Sequence, residues 1–330
     1  MDWLGWIIAI LAAVLLVDLA GRALSVSLIL PIFERKVLVG ALPASPDPHA
    51  PTVAFPATDG LTLRGSLYQP PGDHPPRGLV LFCPGLGSSH WSAMTHCRAL
   101  VEAGFVIFAF DVRNQGESDP MPGYDVMHWV TEYEVRDVLA AIQYAGERDD
   151  LRNLPLGLFG ISRGGSAAVA AAARCETVQA VAAEGLFSTE SLMTHYTVRW
   201  ASLYVPEWVL RVSPMWHLRQ TLGLTRWISQ LRRRVRYSRL ERWLPNLRGR
   251  RVLLITGQND TYVPPDISRS LCRLVGDESC TMWVVPGARH NQARQADPEG
   301  YDERLVALFE TMERSARPVG PAAKRKDQAV

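Results

Sequence analysis

The 330-residue chain lacks a dominant charge: 35 Lys and Arg stand against 33 Asp and Glu, a formal balance of +2. Nothing global therefore points to a nucleic-acid partner, which would call for a basic face. Cysteine is scarce. Cys83, Cys97, Cys175, Cys272 and Cys280 are odd in number, widely spaced and without a CxxC pair. That pattern predicts neither a disulfide framework nor a metal centre, and scattered free thiols fit a reducing compartment. No metal or cofactor is implied anywhere in the chain. Charge is also missing from residues 3–17, "WLGWIIAILAAVLLV", and no Lys or Arg precedes that run. Without a basic leader or a small-x-small site behind it, the run does not read as a cleaved signal peptide.

What is present in the N-terminal stretch is a membrane-type helix. Fifteen uncharged residues rise about 22 Å at ~1.5 Å each, short of a ~30 Å hydrocarbon core. Continuation through Asp18 and Arg22, at i, i+4 spacing, into "LSVSLIL" makes it long enough. We expect residues 1–40 to form a single-pass anchor and juxtamembrane segment. Arg22, Arg35 and Lys36 follow the run and Asp2 precedes it, which favours a cytoplasmic catalytic domain. Residues 41–51, "ALPASPDPHAP", read as a linker, and 316–330 as a disordered tail.

From residue 52 onward the pattern changes. Two β-type runs meet at Asp59-Gly60, a hairpin signal. Apolar strand runs then alternate with amphipathic helices: "LVLFC", "FVIFAF", "LGLF", "VQAVAAE", "RVLLIT" and "TMWVV" are the strands. Helices are expected near 89–103, 131–148, 265–275 and 300–314. Such alternation implies a mostly parallel sheet, of the eight-stranded type, with helices on both faces. These sheets bind ligands beyond the carboxyl ends of their strands, so chemical residues belong just after strand runs.

They occur there. Pro84-Gly85-Leu86-Gly87 follows "LVLFC", and Asp111-Val112-Arg113-Asn114-Gln115-Gly116 follows "FVIFAF". Gly160-Ile161-Ser162-Arg163-Gly164 follows "LGLF", Asn259-Asp260 follows "RVLLIT", and Arg289-His290 follows "TMWVV". A serine hydroxyl is a poor nucleophile at neutral pH. It needs an imidazole as base and a carboxylate to set that ring's tautomer. Ser, Asp and His stand here in that chain order.

On these five motifs, residues 52–315 resemble the α/β-hydrolase superfamily, in its serine-aminopeptidase-like and esterase or monoacylglycerol-lipase-like branch. The resemblance implies Ser162 as nucleophile, His290 as general base and acid, and Asp260 as the orienting carboxylate. It also implies an oxyanion hole built from the backbone N–H groups of Leu86 and Arg163. One departure is Pro84-Gly85, where the family usually has His-Gly, which puts the geometry of that loop in question. Another is Arg163 beside the nucleophile, whose side chain has two readings: acidic or carbonyl groups of the sheet, or a negative group on the substrate. Glu184 also ends a strand run and rivals Asp260 as the acid. His195 and His217 are expected to pack or line the substrate, and His90, His96 and His128 to be surface or loop residues. Asp111 and Arg113 read as structural clamps.

Between about 186 and 248 the sheet pattern stops, and an inserted helical cap over the strand ends is expected. Five of the ten tryptophans fall here, and Arg226 to Arg251 holds ten arginines and one acid, Glu241. Leu224, Ile228, Leu231 and Val235 recur at helical spacing among Arg232, Arg233, Arg234 and Arg236, a basic amphipathic helix. Its arginines are either solvated and paired within the domain, or they rest on an anionic membrane surface. The expected function is hydrolysis of a carboxylic ester with a lipid-like acyl group, a small-molecule ester and membrane lipid being the partners. Thioester hydrolysis uses the same machinery. Aminopeptidase-like hydrolysis would want acidic groups in the cap, and a catalytically silent membrane-anchored binding protein would have no need of all three residues.

Overall fold

Why strands form where they do is clearest at the centre of the sheet. In a computed structural model describing residues 3–35, 44–48, 50–204, 208 and 215–313, β3 (Gly78–Cys83), β4 (Phe105–Phe110) and β5 (Leu156–Ile161) are buried at every position. A strand covered on both faces has no solvent side and so carries an unbroken apolar run. The flanking strands are β1 (Thr52–Pro56), β2 (Thr62–Tyr68), β6 (Val178–Glu184), β7 (Arg251–Gly257) and β8 (Cys280–Val285). At the edges burial becomes partial, as it does along β1 and β8.

The eight strands lie in the order β1-β2-β4-β3-β5-β6-β7-β8. β1 pairs antiparallel with β2 across the Asp59-Gly60 turn, where Gly60 has φ of 88°. β2 pairs antiparallel with β4, and all later pairs are parallel. The chain steps from β3 to β4 in one direction and returns to place β5 on the other side of β3. That reversal creates the crevice at the carboxyl ends of β3 and β5 where such sheets hold their ligands.

Helices α1 (Trp3–Phe33), α2 (Ala93–Glu102), α3 (Glu132–Glu147), α4 (Arg163–Ala172), α5 (Thr189–Tyr204), α6 (Met215–Arg233), α7 (Leu240–Trp243), α8 (Pro265–Val275), α9 (Ala293–Ala296) and α10 (Pro298–Glu310) complete the described elements. The chain divides into two units, Met1–Val37 with Glu190–Tyr237, and Leu38–Thr189 with Ser238–Val330. The larger holds the sheet. Phe82, Phe159, Phe105, Tyr301 and Phe309 form its core. Gly157 is required there, because a Cβ would lie 2.5 Å from the Phe309 ring.

His90, His96 and His128, expected at the surface or in loops, are buried in this unit, at 0%, 5% and 7% exposed; His128 does lie in a loop, whereas His96 lies within α2. Each has a local reason. Asp111 accepts from the His90 backbone N at 2.6 Å and meets its Nδ1 at 2.7 Å. The His96 ring stacks on Phe82 and that of His128 lies 3.9 Å from Trp129. Desolvation pushes His96 and His128 down to about 4, so both are neutral core groups. The clamp reading of Arg113 holds. Its guanidinium is buried against Asp137 and reaches Asp59 at 2.5 Å, tying α3 to the β1–β2 turn.

The cysteine reading needs a correction. Cys272 on α8 and Cys280 at the start of β8 form a disulfide, with Cα atoms 5.6 Å apart. Eight residues separate them in sequence, and only the return of the chain from helix to neighbouring strand brings them together. Cys83, Cys97 and Cys175 are buried thiols outside any disulfide. Burial raises the Cys83 and Cys97 thiols well above their ordinary range.

In the smaller unit α1 and α6 run side by side and parallel. Asp18 meets His217 at 2.7 Å, and sixteen residues on (34 − 18) Glu34 meets Arg232, fifteen on from 217 (232 − 217), at 3.7 Å. Phe33 packs edge-on against Tyr237. Of the apolar stripe, Leu224 and Leu231 are exposed, Ile228 is half-buried and Val235 is buried just past the end of α6. Its buried residues are Thr221, Leu222, Thr225 and Ser229, whereas Leu224, Trp227 and Leu231 stay exposed. The hydroxyls are satisfied locally: Thr221 Oγ1 donates to the His217 carbonyl and Thr225 Oγ1 to that of Thr221, both at 3.0 Å, and Ser229 meets the Tyr237 hydroxyl. Leu222 on this helix, and Val26, Leu30 and Phe33 on α1, are buried as well. Residues 41–43 and 49 of the linker 41–51 and all of the tail 316–330 lie outside the described residues.

The thiol assignment has a direct check. Denatured, unreduced protein should titrate three thiols with Ellman's reagent and reduced protein five; five before reduction would remove the disulfide.

Candidate active site

Ser162 ends β5 and opens α4 with φ 51° and ψ −116°, a left-handed conformation that side chains rarely adopt. The surrounding glycines make the turn possible. A Cβ on Gly164 would sit 2.2 Å from the Pro84 carbonyl, and one on Gly160 would sit 2.7 Å from the Gly164 backbone. The Ser162 amide donates to the Glu184 carbonyl at 2.6 Å, which pins the turn to the neighbouring strand.

His290 comes from the loop after β8 and Asp260 from the loop after β7. Ser162 Oγ lies 2.9 Å from His290 Nε2, and His290 Nδ1 lies 2.7 Å from Asp260 Oδ2. The carboxylate can only accept, so Nδ1 carries the proton and Nε2 is left with the lone pair that faces the serine. Asp260 is itself fixed: its Oδ1 accepts from the Tyr262 and Val263 amides at 2.9 and 2.7 Å, and its side chain is fully buried. The imidazole is 17% exposed and so open to a substrate. Gly185 leaves room for the ring, because a Cβ there would lie 2.8 Å from His290 Cε1.

The structure thus brings together Ser162, His290 and Asp260 in a Ser-His-Asp triad suited to ester hydrolysis. Glu184 has another task. Its Oε1 accepts from the Ala293 amide and its Oε2 from the Tyr301 hydroxyl, both at 2.9 Å, so it braces the helices that follow His290. Complete burial raises its pKa. Of the two readings of the Arg163 side chain, the protein partner applies, but on α3 rather than on the sheet: Nη2 is 2.7 Å from Glu134 and the residue is 2% exposed. Leu86 lies in the loop that follows β3, and Arg163 is the first residue of α4, where the amide has no acceptor inside the helix. His217 lies in the smaller unit, paired with Asp18. Gln115, Tyr124 and Glu134, which surround Arg163, were not singled out by the sequence. The Thr131-x-x-Glu134 capping box was the one available signal for Glu134.

Residues 80–304 match the alpha/beta hydrolase family, and the chain belongs to it. The fold is shared with an esterase from Pyrococcus furiosus (TM-score 0.61, 17% identity, covering 84% of this chain and 98% of that one). An uncharacterized 31.7 kDa protein of Escherichia coli is 30% identical over 132 residues, 40% of this chain and 44% of that protein. A thiohydrolase from Aspergillus aculeatus is 29% identical over 125 residues, 36% of each chain. The chain thus spans less than half the length of these curated relatives.

The acid assignment predicts a sharp asymmetry. Asp260→Asn would offer an amide to Nδ1, favour the wrong tautomer and lower kcat roughly 10⁴-fold, whereas Glu184→Gln should retain kcat within about tenfold of wild type. Steady-state hydrolysis by the two folded variants checks this, and the reverse order would transfer the acid role to Glu184.

Proposed function

We propose that this chain is a membrane-anchored serine hydrolase that cleaves a carboxylic ester with a lipid-like acyl group. The observation that carries the reading is the continuous relay from Ser162 Oγ through the His290 ring to Asp260. In the reaction His290 Nε2 takes the hydroxyl proton as Ser162 attacks the carbonyl carbon. The tetrahedral oxyanion is met by the backbone N–H groups of Leu86 and Arg163, each worth about 3 kcal/mol where comparable donors have been removed. The imidazolium then protonates the departing alcohol, leaving an acyl-enzyme. Water, deprotonated by the same nitrogen, releases the acid. Thioester cleavage follows the same steps with a thiol leaving group, and the Aspergillus thiohydrolase favours it as the second reading. A silent binding protein would have no use for a strained nucleophile turn and an aligned base.

The acyl preference rests on the smaller unit. α1 is 31 residues long, with Trp3, Trp6, Ile8, Leu11 and Leu16 exposed, and at ~1.5 Å per residue it exceeds a ~30 Å hydrocarbon core. Trp216, Trp227 and Leu231 are exposed on α6 beside Arg219 and Arg232. Apolar side chains flanked by cations suit the interface of an anionic bilayer. The parallel pairing gives α6 the tilt of α1 rather than an independent position flat on the surface. On orientation two observations oppose each other. Arg35 and Lys36 after the anchor favour a cytoplasmic catalytic unit, and the Cys272–Cys280 disulfide favours the oxidising side. Alkylation of thiols before cell lysis decides between them.

A series of p-nitrophenyl esters should be hydrolysed with kcat/KM rising from acetyl to medium-chain acyl groups, and aminoacyl anilides should be poor substrates. Preference for the anilides would overturn the ester reading. For the membrane contact, an environment-sensitive NBD label on Trp227→Cys should brighten and shift to the blue with phosphatidylglycerol vesicles. An unchanged spectrum would remove α6 from the interface.

A further inference from the structure

We infer that Gln115 is a positioning residue that fixes one donor of the oxyanion hole, and that the Arg163 side chain acts through it. The inference rests on the hydrolase reading above. Arg163 Nη1 donates to Gln115 Oε1 at 3.0 Å, and Gln115 Nε2 donates to the carbonyls of Gly85 and Ser88 at 3.2 and 3.4 Å. The direction of this chain is set by chemistry. A guanidinium has no acceptor, so the carboxamide must turn its oxygen to Arg163 and its NH₂ to the loop.

The Gly85 carbonyl and the Leu86 N–H belong to a single planar amide. In a trans peptide the two point in opposite directions. Gln115 therefore holds, by the carbonyl end, the same peptide plane whose N–H is assigned to the oxyanion. The Ser88 amide also donates to the Gly85 carbonyl, at 3.1 Å, closing the loop as a turn. The strand leads into that loop through Pro84, which has no N–H of its own to donate, and the side-chain support comes from the loop after the adjacent strand β4.

Behind Gln115 the network is closed and buried. Glu134 accepts from Arg163 at 2.7 Å and from the Tyr124 hydroxyl at 2.5 Å, and its other oxygen accepts from the Thr131 amide and hydroxyl at 2.7 Å each. Tyr124 OH also accepts from Arg163 Nη2 at 3.3 Å. Gln115 and Arg163 are 8% and 2% exposed. A buried cation polarises the carboxamide and strengthens its NH₂ as a donor. Arg163 would thus serve the oxyanion twice, directly with its own backbone N–H and indirectly through Gln115 and the Leu86 amide. This accounts for an arginine beside the nucleophile that faces no substrate.

The test uses the full chain and three variants. Gln115→Leu keeps the volume and removes both contacts. It should lower kcat per titrated active site about 10- to 100-fold, less than or equal to the loss of a whole oxyanion donor, with KM within threefold and the melting temperature close to wild type. Affinity for an alkyl boronic acid, which forms a tetrahedral adduct on the serine, should fall by the same factor as kcat/KM. A merely structural residue would lower the melting temperature and leave that affinity unchanged in the folded fraction. Gln115→Glu keeps the acceptor for Arg163 but turns an oxygen toward two carbonyls, so it should be at least as impaired. Arg163→Lys retains a cation for Glu134, and combined with Gln115→Leu it should cost no more than Gln115→Leu alone. A Gln115→Leu enzyme with kcat and boronate affinity within twofold of wild type overturns the inference, as does multiplicative loss in the double variant. If wild type neither hydrolyses esters nor takes up a fluorophosphonate, the hydrolase reading fails and this inference falls with it.

Discussion

An alcohol becomes a useful nucleophile here only because an imidazole lone pair stands 2.9 Å from its oxygen while a carboxylate holds the far side of the ring. Everything else in the larger unit serves that alignment. The serine leaves β5, the carboxylate follows β7 and the imidazole follows β8, with β6 between nucleophile and acid. The end of β6 sets their spacing. The Glu184 carbonyl accepts from the Ser162 amide, its side chain braces the Ala293 amide beyond His290, and Gly185 leaves space for the ring. A residue that rivals Asp260 on position alone turns out to hold the frame in which Asp260 works.

Those parts that read directly from the amino-acid order share a cause. β3, β4 and β5 are covered on both faces, so their apolar runs cannot be confused with surface strands. The triad was legible because a parallel sheet collects strand ends at one edge, and Ser162, Asp260 and His290 each stand just past one. What was hidden depends on approach in space. The Cys272–Cys280 pair has no motif spacing and exists because α8 and β8 are neighbours. His90, His96 and His128 look like surface or loop residues until Asp111, Phe82 and Trp129 are seen around them. For α6 the leucine periodicity marks a helix but not which side of it packs, since hydropathy cannot anticipate the partner helix.

In the smaller unit α6 buries Thr221, Leu222, Thr225 and Ser229, with each hydroxyl satisfied, and presents Leu224, Trp227 and Leu231 outward. Asp18, Arg22 and His217 form a polar seam between α1 and α6, with the Arg22 guanidinium 5.9 Å from the Trp216 ring centroid.

The most direct test of the account is to catch the covalent intermediate. Protein mixed with a slowly turned-over medium-chain p-nitrophenyl ester, quenched in acid and digested, should carry one acyl group on the peptide containing Ser162 and none in Ser162→Ala. An acyl group on another residue, or turnover that persists without Ser162, would contradict it.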